Sequence, residues 1–308
     1  MSEHPHIFIS TKAQMTPSIF IRSALAAGFA ICIFALSACG SSSSSSSAVA
    51  SAAVSAVTAV NPAVGKVTTF NILGANLPAS IAATTTGCTD VAVISSTSST
   101  SRQFTCTPDG TSVAVSIDYG STAPFKTSLA VPLPQVTFLT SMGTVVVELY
   151  PDKAPVTVKN FLNYVGNGFY TNTIFHRVVP GFVTQGGGFV SDAVNTIQQK
   201  TNSTAPIVLE SKSGLSNLKY TLAMARLGQP DTATSQFFFN AINNTALDNT
   251  STTAVANGYA VFGKAISGTA VLDSMNAVAN ATLSSGTYAG YSNVPTTTLV
   301  LQSATRTQ

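Results

Sequence analysis

The sequence has few charged residues, and they do not form runs of one sign. Only 8% of the 308 residues are Asp, Glu, Lys or Arg, and 14 basic against 11 acidic side chains give a net charge of +3. We therefore expect no nucleic-acid partner and no polybasic patch that would bind a membrane surface. Ser, Thr, Ala and Asn are abundant instead, and such a neutral surface is typical of an exported protein.

Metal ligands and nucleophile-base pairs are also scarce. Only one of the three histidines, His176, lies beyond the first six residues, and no Cys-x-x-Cys pair occurs. A Gly-x-Ser-x-Gly elbow is absent too, so neither a zinc site nor a serine hydrolase is indicated. The run Gly186-Gly187-Gly188 lacks the lysine of a phosphate-binding loop and predicts a tight turn. We expect no metal and no cofactor.

An apolar stretch near the amino terminus predicts an export signal. Residues 24–38 follow Arg22 and precede a run of serines. As a helix these residues would rise only about 22 Å, short of the roughly 30 Å hydrocarbon core, so a spanning helix is not expected. We predict a signal peptide over residues 1–38, with Met15 as an alternative start, and one or two domains after it.

The stretch ends in Leu36-Ser37-Ala38-Cys39-Gly40, which resembles the lipobox of bacterial lipoproteins. That resemblance implies a membrane anchor on an acylated Cys39, carried by a Ser/Ala-rich tether over residues 39–53. It also implies the cell envelope, and Gly40 in place of an aspartate favours the outer membrane, facing the periplasm. An ordinary signal peptide with a cysteine near its end is the alternative.

Two cysteines remain in the body of the chain, since Cys32 lies in the leader. In an oxidising compartment Cys88 and Cys106 are expected to pair. Closing this loop would contribute on the order of 3 kcal/mol. The alternative, a zinc site, lacks further ligands.

Residues 54–132 predict a small all-β domain. Short β-type runs alternate with turn signals, and Val113, Val115, Ile117 and Tyr119 share one face of a strand. The layout and the cysteine pair resemble immunoglobulin-like β-sandwich modules of bacterial surface proteins. Since no catalytic constellation lies here, we expect a spacer or docking module.

The segment 133–308, which begins after Pro132, predicts a hairpin and two helices. Residues 136–149 alternate around a turn at residues 141–143, as a hairpin does. Pro155 suits the first turn of a helix, whose buried stripe is formed by the apolar side chains Val158, Phe161, Leu162 and Val165. A second helix is expected near residues 269–279.

Five separated blocks in this segment carry a family resemblance. They are Ile174 to Phe189, Leu222 to Arg226, Ala233 to Phe239, Leu247-Asp248 and Gly258 to Lys264. Together with residues 141–162 they resemble cyclophilin-type peptidyl-prolyl isomerases of bacteria over residues 134–304. The resemblance implies a mainly β fold, a closed β-barrel capped by two helices, and an enzyme that accelerates rotation about X-Pro bonds in unfolded or exported proteins.

The resemblance also implies the site residues. Arg177 and Gln185 would be catalytic, and the residues that bind substrate would be Phe182, Val183, Ala225, Arg226, Gln236, Phe238, Leu247 and Tyr259. A guanidinium aimed at the proline nitrogen stabilises the twisted amide and not the planar one. His176 is expected to be structural.

The sequence departs from many relatives at three positions. Val183 stands where a methionine is common in the pocket, and Tyr259 where eukaryotic members carry histidine. Ala246 stands where eukaryotic members carry the tryptophan that contacts cyclosporin, so cyclosporin should bind weakly. Two other hypotheses stay open. The segment could bind proline-containing partners without catalysis, or the specific role could be adhesion or assembly by residues 54–132.

Overall fold

The computed structural model describes residues 50–94, 96–193, 196–201, 204–253, 257–284 and 287–308. The predicted leader, Cys39 and most of the predicted tether lie outside these residues. Within them, no helix has the length and apolar character needed to cross a membrane.

The first part of the described chain forms two sheets. Its strands are β1 (Ala53–Val60), β2 (Thr68–Ala75), β3 (Ala82–Thr86), β4 (Cys88–Ile94), β5 (Ser101–Pro108), β6 (Ser112–Asp118) and β7 (Phe125–Ala130). One sheet has the order β1-β2-β5-β4 and the other the order β3-β6-β7. Every second residue of β5 and β6 is buried, as expected for strands with one face on a core.

The two sheets share a hydrophobic core of their own. Phe70 of β2 stacks on Phe104 of β5, with ring centroids 4.8 Å apart. The sulfurs of Cys88 and Cys106 are bonded, which links β4 to β5 beside this core. Val113 and Ile117 of β6, which belongs to the other sheet, are fully buried in the same core.

The second part contains two described α-helices and one large sheet. In chain order its elements are β8 (Gln135–Thr140), β9 (Gly143–Leu149), α1 (Pro155–Gly166), β10 (Thr173–Ile174), β11 (Arg177–Val179), β12 (Val183–Gly186), β13 (Phe189–Ala193), β14 (Thr196–Gln199), β15 (Thr221–Met224), β16 (Phe237–Asn240), β17 (Val261–Ser267), α2 (Thr269–Asn276), β18 (Asn280–Ala281), β19 (Val294–Pro295) and β20 (Val300–Arg306). The sheet has the order β11-β12-β16-β15-β17-β9-β8-β20-β10-β13-β14, and β18 pairs with β19.

Helix α1 begins where the sequence predicts it. Pro155 occupies the first turn, and Ala154 provides no side-chain cap. The carboxylate of Glu210 caps the helix instead. This carboxylate accepts hydrogen bonds from the backbone N–H groups of Val156 (3.1 Å) and Thr157 (2.7 Å). A negative charge at a helix amino terminus also interacts favourably with the helix dipole.

The sheet curls around a core rich in aromatic side chains. Phe161 of α1 packs edge-on against Phe237 of β16, with ring centroids 5.8 Å apart, and Phe138 of β8 lies 5.5 Å from the same ring. Strands from both halves of the sheet therefore meet at Phe237, as a curled half-barrel requires. The predicted mainly β class with two helices is confirmed, although α2 ends at Asn276 rather than near residue 279.

Hydrogen bonds between Thr111 and Asp152 join the two parts of the described chain. The carboxylate of Asp152, just before α1, accepts a hydrogen bond of 2.9 Å from the backbone N–H of Thr111 and a second from its hydroxyl. The loop between β5 and β6 is thus attached to the loop that leads into α1.

Candidate active site

The register of three neighbouring strands places the predicted catalytic side chains side by side. Arg177 of β11 lies opposite Gln185 of β12, and Gln185 lies opposite Phe238 of β16. Directly opposite residues of antiparallel strands share one face of the sheet. A cation, an amide and an aromatic ring therefore form a row across this face.

The row of polar side chains continues from Gln185 of β12 to Gln236, which directly precedes β16. Nη1 of Arg177 lies 3.5 Å from Oε1 of Gln185, and Nε2 of Gln185 donates a hydrogen bond of 3.0 Å to Oε1 of Gln236. Arg177 is partly exposed and forms no ion pair within the described residues. Its remaining N–H donors are therefore available to a bound carbonyl or amide nitrogen.

A cavity of about 150 Å³, lined by both apolar and polar side chains, opens beside Arg177. Its lining consists of Arg177, Phe182, Val183, Gln185, Ala225, Arg226, Phe238, Leu247 and Tyr259. Val183 and Phe238 are almost fully buried, and the rings of Phe238 and Tyr259 meet edge-on at 5.5 Å. A cavity of this size and character suits a small aliphatic ring.

Asn276, at the end of α2, holds the hairpin that carries Phe182 and Val183. Its Oδ1 accepts a hydrogen bond of 2.8 Å from the backbone N–H of Gly181, and its Nδ2 donates to the carbonyl oxygen of Val179 at 3.1 Å. Gly181 has a φ of +68°, a conformation that favours glycine. The turn is thus fixed both by its own backbone and by a side chain about a hundred positions away.

Asp248 holds the opposite wall, which contains Leu247 and Tyr259. Its carboxylate accepts hydrogen bonds from the hydroxyl of Ser216 (2.5 Å) and from the backbone and side-chain N–H groups of Asn217 (2.7 and 2.9 Å). Burial alone would raise the pKa of Asp248, but these hydrogen bonds lower it below its ordinary value. The backbone N–H of Tyr259 then donates to the carbonyl oxygen of Leu247 at 2.9 Å, which joins the two wall residues.

A second, larger cavity of about 600 Å³ adjoins the first and shares Arg177, Gln185, Ala225 and Arg226 with it. The other lining residues are His176, Phe189, Gln199, Pro206, Leu227, Thr232, Thr234, Gln236, Gly290, Tyr291 and Ser292. Most of these residues were not predicted from the sequence. The two cavities together bring all ten predicted catalytic and substrate-binding residues into one continuous surface.

His176 lines the larger cavity but is only 3% exposed, with its ring centroid 4.3 Å from that of Phe189. Burial lowers its pKa to about 4, and the charge of Arg177 acts in the same direction. Its Nδ1 has no hydrogen-bond partner in the described part of the chain. A neutral, enclosed imidazole is consistent with the structural role expected of it.

The glycine run packs closely against the polar row. A Cβ at Gly188 would lie 2.4 Å from Cγ of Gln236, and one at Gly187, whose φ is +80°, would lie 2.6 Å from the ring of Phe237. The tight turn predicted here thus also leaves room for the side chain of Gln236. No cluster of His, Cys, Asp and Glu suited to a metal ion occurs among the described residues.

Comparison with known proteins gives the family. The model described as "Cyclophilin type peptidyl-prolyl cis-trans isomerase/CLD" matches residues 135–304. A peptidyl-prolyl cis-trans isomerase of Acinetobacter baylyi is 47% identical over 156 residues, which are 51% of this chain and 76% of that protein. Peptidyl-prolyl cis-trans isomerase A of Dickeya dadantii is 46% identical over 169 residues (55% and 82%), and isomerase B of Escherichia coli is 42% identical over 170 residues (55% and 98%). The chain therefore belongs to the cyclophilin-type peptidyl-prolyl cis-trans isomerase family.

Proposed function

We propose that Arg177 is the electrostatic catalyst of this isomerase. The observation that carries the proposal is the position of Arg177, where the polar row of Gln185 and Gln236 meets the cavity lined by Phe182, Val183 and Phe238. A proline ring seated in that cavity would place the nitrogen of its preceding peptide bond beside the guanidinium.

The chemistry needs no base, nucleophile or metal. Rotation about an X-Pro bond has a barrier of about 18–20 kcal/mol, because it breaks amide resonance. In the twisted state the lone pair returns to the proline nitrogen, so a hydrogen bond from Arg177 stabilises that state more than the planar amide. Gln185 orients the guanidinium from the other side through Oε1.

The substrate is held by groups of two kinds. Phe182, Val183, Phe238 and Leu247 provide apolar contact for the proline ring, with Tyr259 at the rim. The amide groups of Gln185 and Gln236 and the backbone near Ala225 and Arg226 hold the polypeptide on either side. Such a site recognises proline in an extended chain, so its substrates are unfolded or newly exported polypeptides, in which slow X-Pro rotation limits folding.

We further propose that the protein is attached to the bacterial cell envelope by an acylated Cys39, at the outer membrane and facing the periplasm. The lipobox-like sequence, the serine-rich tether and the low charge support this location. The immunoglobulin-like module of residues 54–132 then acts as a spacer or docking module between tether and enzyme. Replacement of Cys39 by serine should move the protein from the membrane fraction to the soluble fraction, and unchanged fractionation would contradict the anchor.

The catalytic proposal is tested by the rate of cis-to-trans isomerisation of a short X-Pro peptide by the purified full chain. Arg177→Ala should lower kcat/KM by about 100-fold to 1000-fold, as loss of a transition-state donor does in other enzymes. Arg177→Lys keeps the charge but not the fork, and should recover only part of the activity. A folded wild-type chain without turnover on several X-Pro peptides would leave peptide binding as the function.

A further inference from the structure

Arg226 lines both cavities, and within the described structure its guanidinium donates only to backbone carbonyl groups. Nε donates to Gly258 at 2.8 Å, and Nη1 donates to Leu227 at 2.8 Å and to Gly228 at 3.2 Å. No carboxylate pairs with it among the described residues. Nε and Nη1 are thus directed at the backbone of the protein itself.

The same guanidinium stacks on the rim of the smaller cavity. Its carbon Cζ lies 4.8 Å from the ring centroid of Tyr259, and that ring meets Phe238 edge-on. A planar guanidinium over an aromatic face is favourable both as a cation–π contact and as a stack. Arg226 therefore fixes the orientation of Tyr259 through the ring as well as through the preceding residue, Gly258.

On its other side Arg226 holds a loop of the larger cavity. Thr232 closes this loop, since its hydroxyl accepts a hydrogen bond from the backbone N–H of Leu227 (3.0 Å) and donates to the carbonyl oxygen of Gln229 (2.7 Å). Leu227 stands at the mouth of the cavity with 74% of its surface exposed. One side chain thus contacts both the rim of the smaller cavity and the loop at the mouth of the larger one.

We propose that Arg226 is a positioning residue that couples the two cavities, so that a peptide long enough to enter both gains affinity only while this side chain is intact. The proposal deepens the function given above and rests on it. It predicts an effect on peptide affinity and KM rather than on kcat, because the hydrogen bonds of this guanidinium go to backbone carbonyl groups and not to Arg177 or Gln185.

The test compares two peptides, a four-residue X-Pro peptide and an eight-residue peptide with the same central sequence, on the full chain. Binding is measured by calorimetry in the Arg177→Ala background, in which turnover is slow, and KM and kcat are measured with Arg177 intact. Arg226→Gln should remove most of the affinity that lengthening adds, with KM of the long peptide rising about threefold to tenfold and kcat within about twofold.

Two matched variants keep the test informative. Arg226→Lys retains the charge but not the planar fork, and should behave like Arg226→Gln. Lys264→Gln removes a charge from an exposed position of β17 outside both cavities, and should leave the ratio of the two affinities at its wild-type value. Circular dichroism and the midpoint of thermal unfolding identify any variant that fails to fold, and a folded Arg226→Lys variant alone suffices for the comparison.

The outcomes separate this proposal from the catalytic one. If both folded Arg226 variants keep the wild-type affinity ratio, or if kcat falls while KM is unchanged, the coupling role is wrong. If the wild-type chain shows no turnover yet the affinity ratio falls in the Arg226 variants, catalysis by Arg177 is wrong and the coupling role is supported.

Discussion

Gln185 and Gln236 are joined by a side-chain hydrogen bond of 3.0 Å that continues the contact between Arg177 and Gln185. Removal of Gln185 therefore deprives Arg177 of its acceptor and Gln236 of its donor. We expect Gln185→Ala to lower kcat/KM by about tenfold, the effect of one lost hydrogen bond to a charged group. The measurement is the isomerisation rate of a short X-Pro peptide. Gln302→Ala, at an exposed position of β20, is the control, and equal rates for both variants would contradict the role of Gln185.

Gly188→Ala should damage the site without unfolding the protein. The added Cβ would lie 2.4 Å from Cγ and 2.7 Å from Cδ of Gln236, so this flexible side chain must move away from Gln185. We expect kcat/KM to fall about threefold to tenfold, with the free energy of unfolding changed by less than about 1 kcal/mol.

Gly187→Ala provides the contrasting case. Here φ is +80° and the new Cβ would meet the buried ring of Phe237, so the substitution should cost about 2–3 kcal/mol of unfolding free energy. Gly228→Ala, which meets no atom within 4 Å, is the neutral control. Denaturant unfolding and peptide turnover distinguish the three variants, and equal stability of the Gly187 and Gly188 variants would contradict the assignment.

Asp248→Ala should raise KM, because three hydrogen bonds from Ser216 and Asn217 hold the turn that carries Leu247. We expect KM for X-Pro peptides to rise about threefold to tenfold and kcat to change less. Steady-state kinetics measures both. A fall in kcat at constant KM would mean that the turn is not what Asp248 controls.

His176 makes stability depend on pH in a defined window. Its pKa is about 4 in the fold and about 6.5 when unfolded, so the unfolded chain binds more protons between these values. The free energy of unfolding should therefore fall as the pH is lowered from about 6.5 to 4.5, by on the order of 2–3 kcal/mol from this residue. Urea unfolding at several pH values measures the slope. His176→Gln should flatten it, and an unchanged slope in that variant would assign the pH dependence to other groups.

We expect cyclosporin to bind weakly, because Ala246, at an exposed position of the 3-10 helix Thr245–Leu247, offers little surface where the family resemblance implies a tryptophan in eukaryotic members. Ala246→Trp should tighten binding by about tenfold or more, as a buried indole contact does. The chain contains no tryptophan, so the new indole would report binding directly through its fluorescence. Isothermal calorimetry gives the wild-type affinity, and tight binding by the wild-type chain would contradict the argument.

Local patterns in the sequence predicted a large part of this architecture. The apolar spacing of Val158, Phe161 and Val165 identified α1, and its first residue agrees with the structure. Arg177 and Gln185 lie eight positions apart on either side of one tight turn, so their proximity follows from a short hairpin. Such features depend on neighbours in the chain, which a sequence displays directly.

The missed features depend on contacts between distant segments. Tyr291 reaches the larger cavity from a loop more than a hundred positions after Arg177, and no local pattern records that approach. Arg226 was predicted to bind substrate, but the positioning role proposed for it was not predicted, for a different reason. Its partners are carbonyl oxygens of Leu227, Gly228 and Gly258, and backbone groups have no side-chain signature from which their positions can be inferred.

The neutral partners of Arg177 and Arg226 have a consequence for how the protein responds to ionic strength. Both guanidinium groups are oriented by amide and carbonyl oxygens, and the ion pair that the described chain does contain, Lys219 with Asp273, lies on the surface. Salt shortens the electrostatic screening length from about 10 Å at 0.1 M to about 3 Å at 1 M. This screening weakens exposed ion pairs but hardly affects hydrogen bonds to neutral oxygen atoms. The peptide-binding face therefore keeps its geometry in dilute and in concentrated media alike.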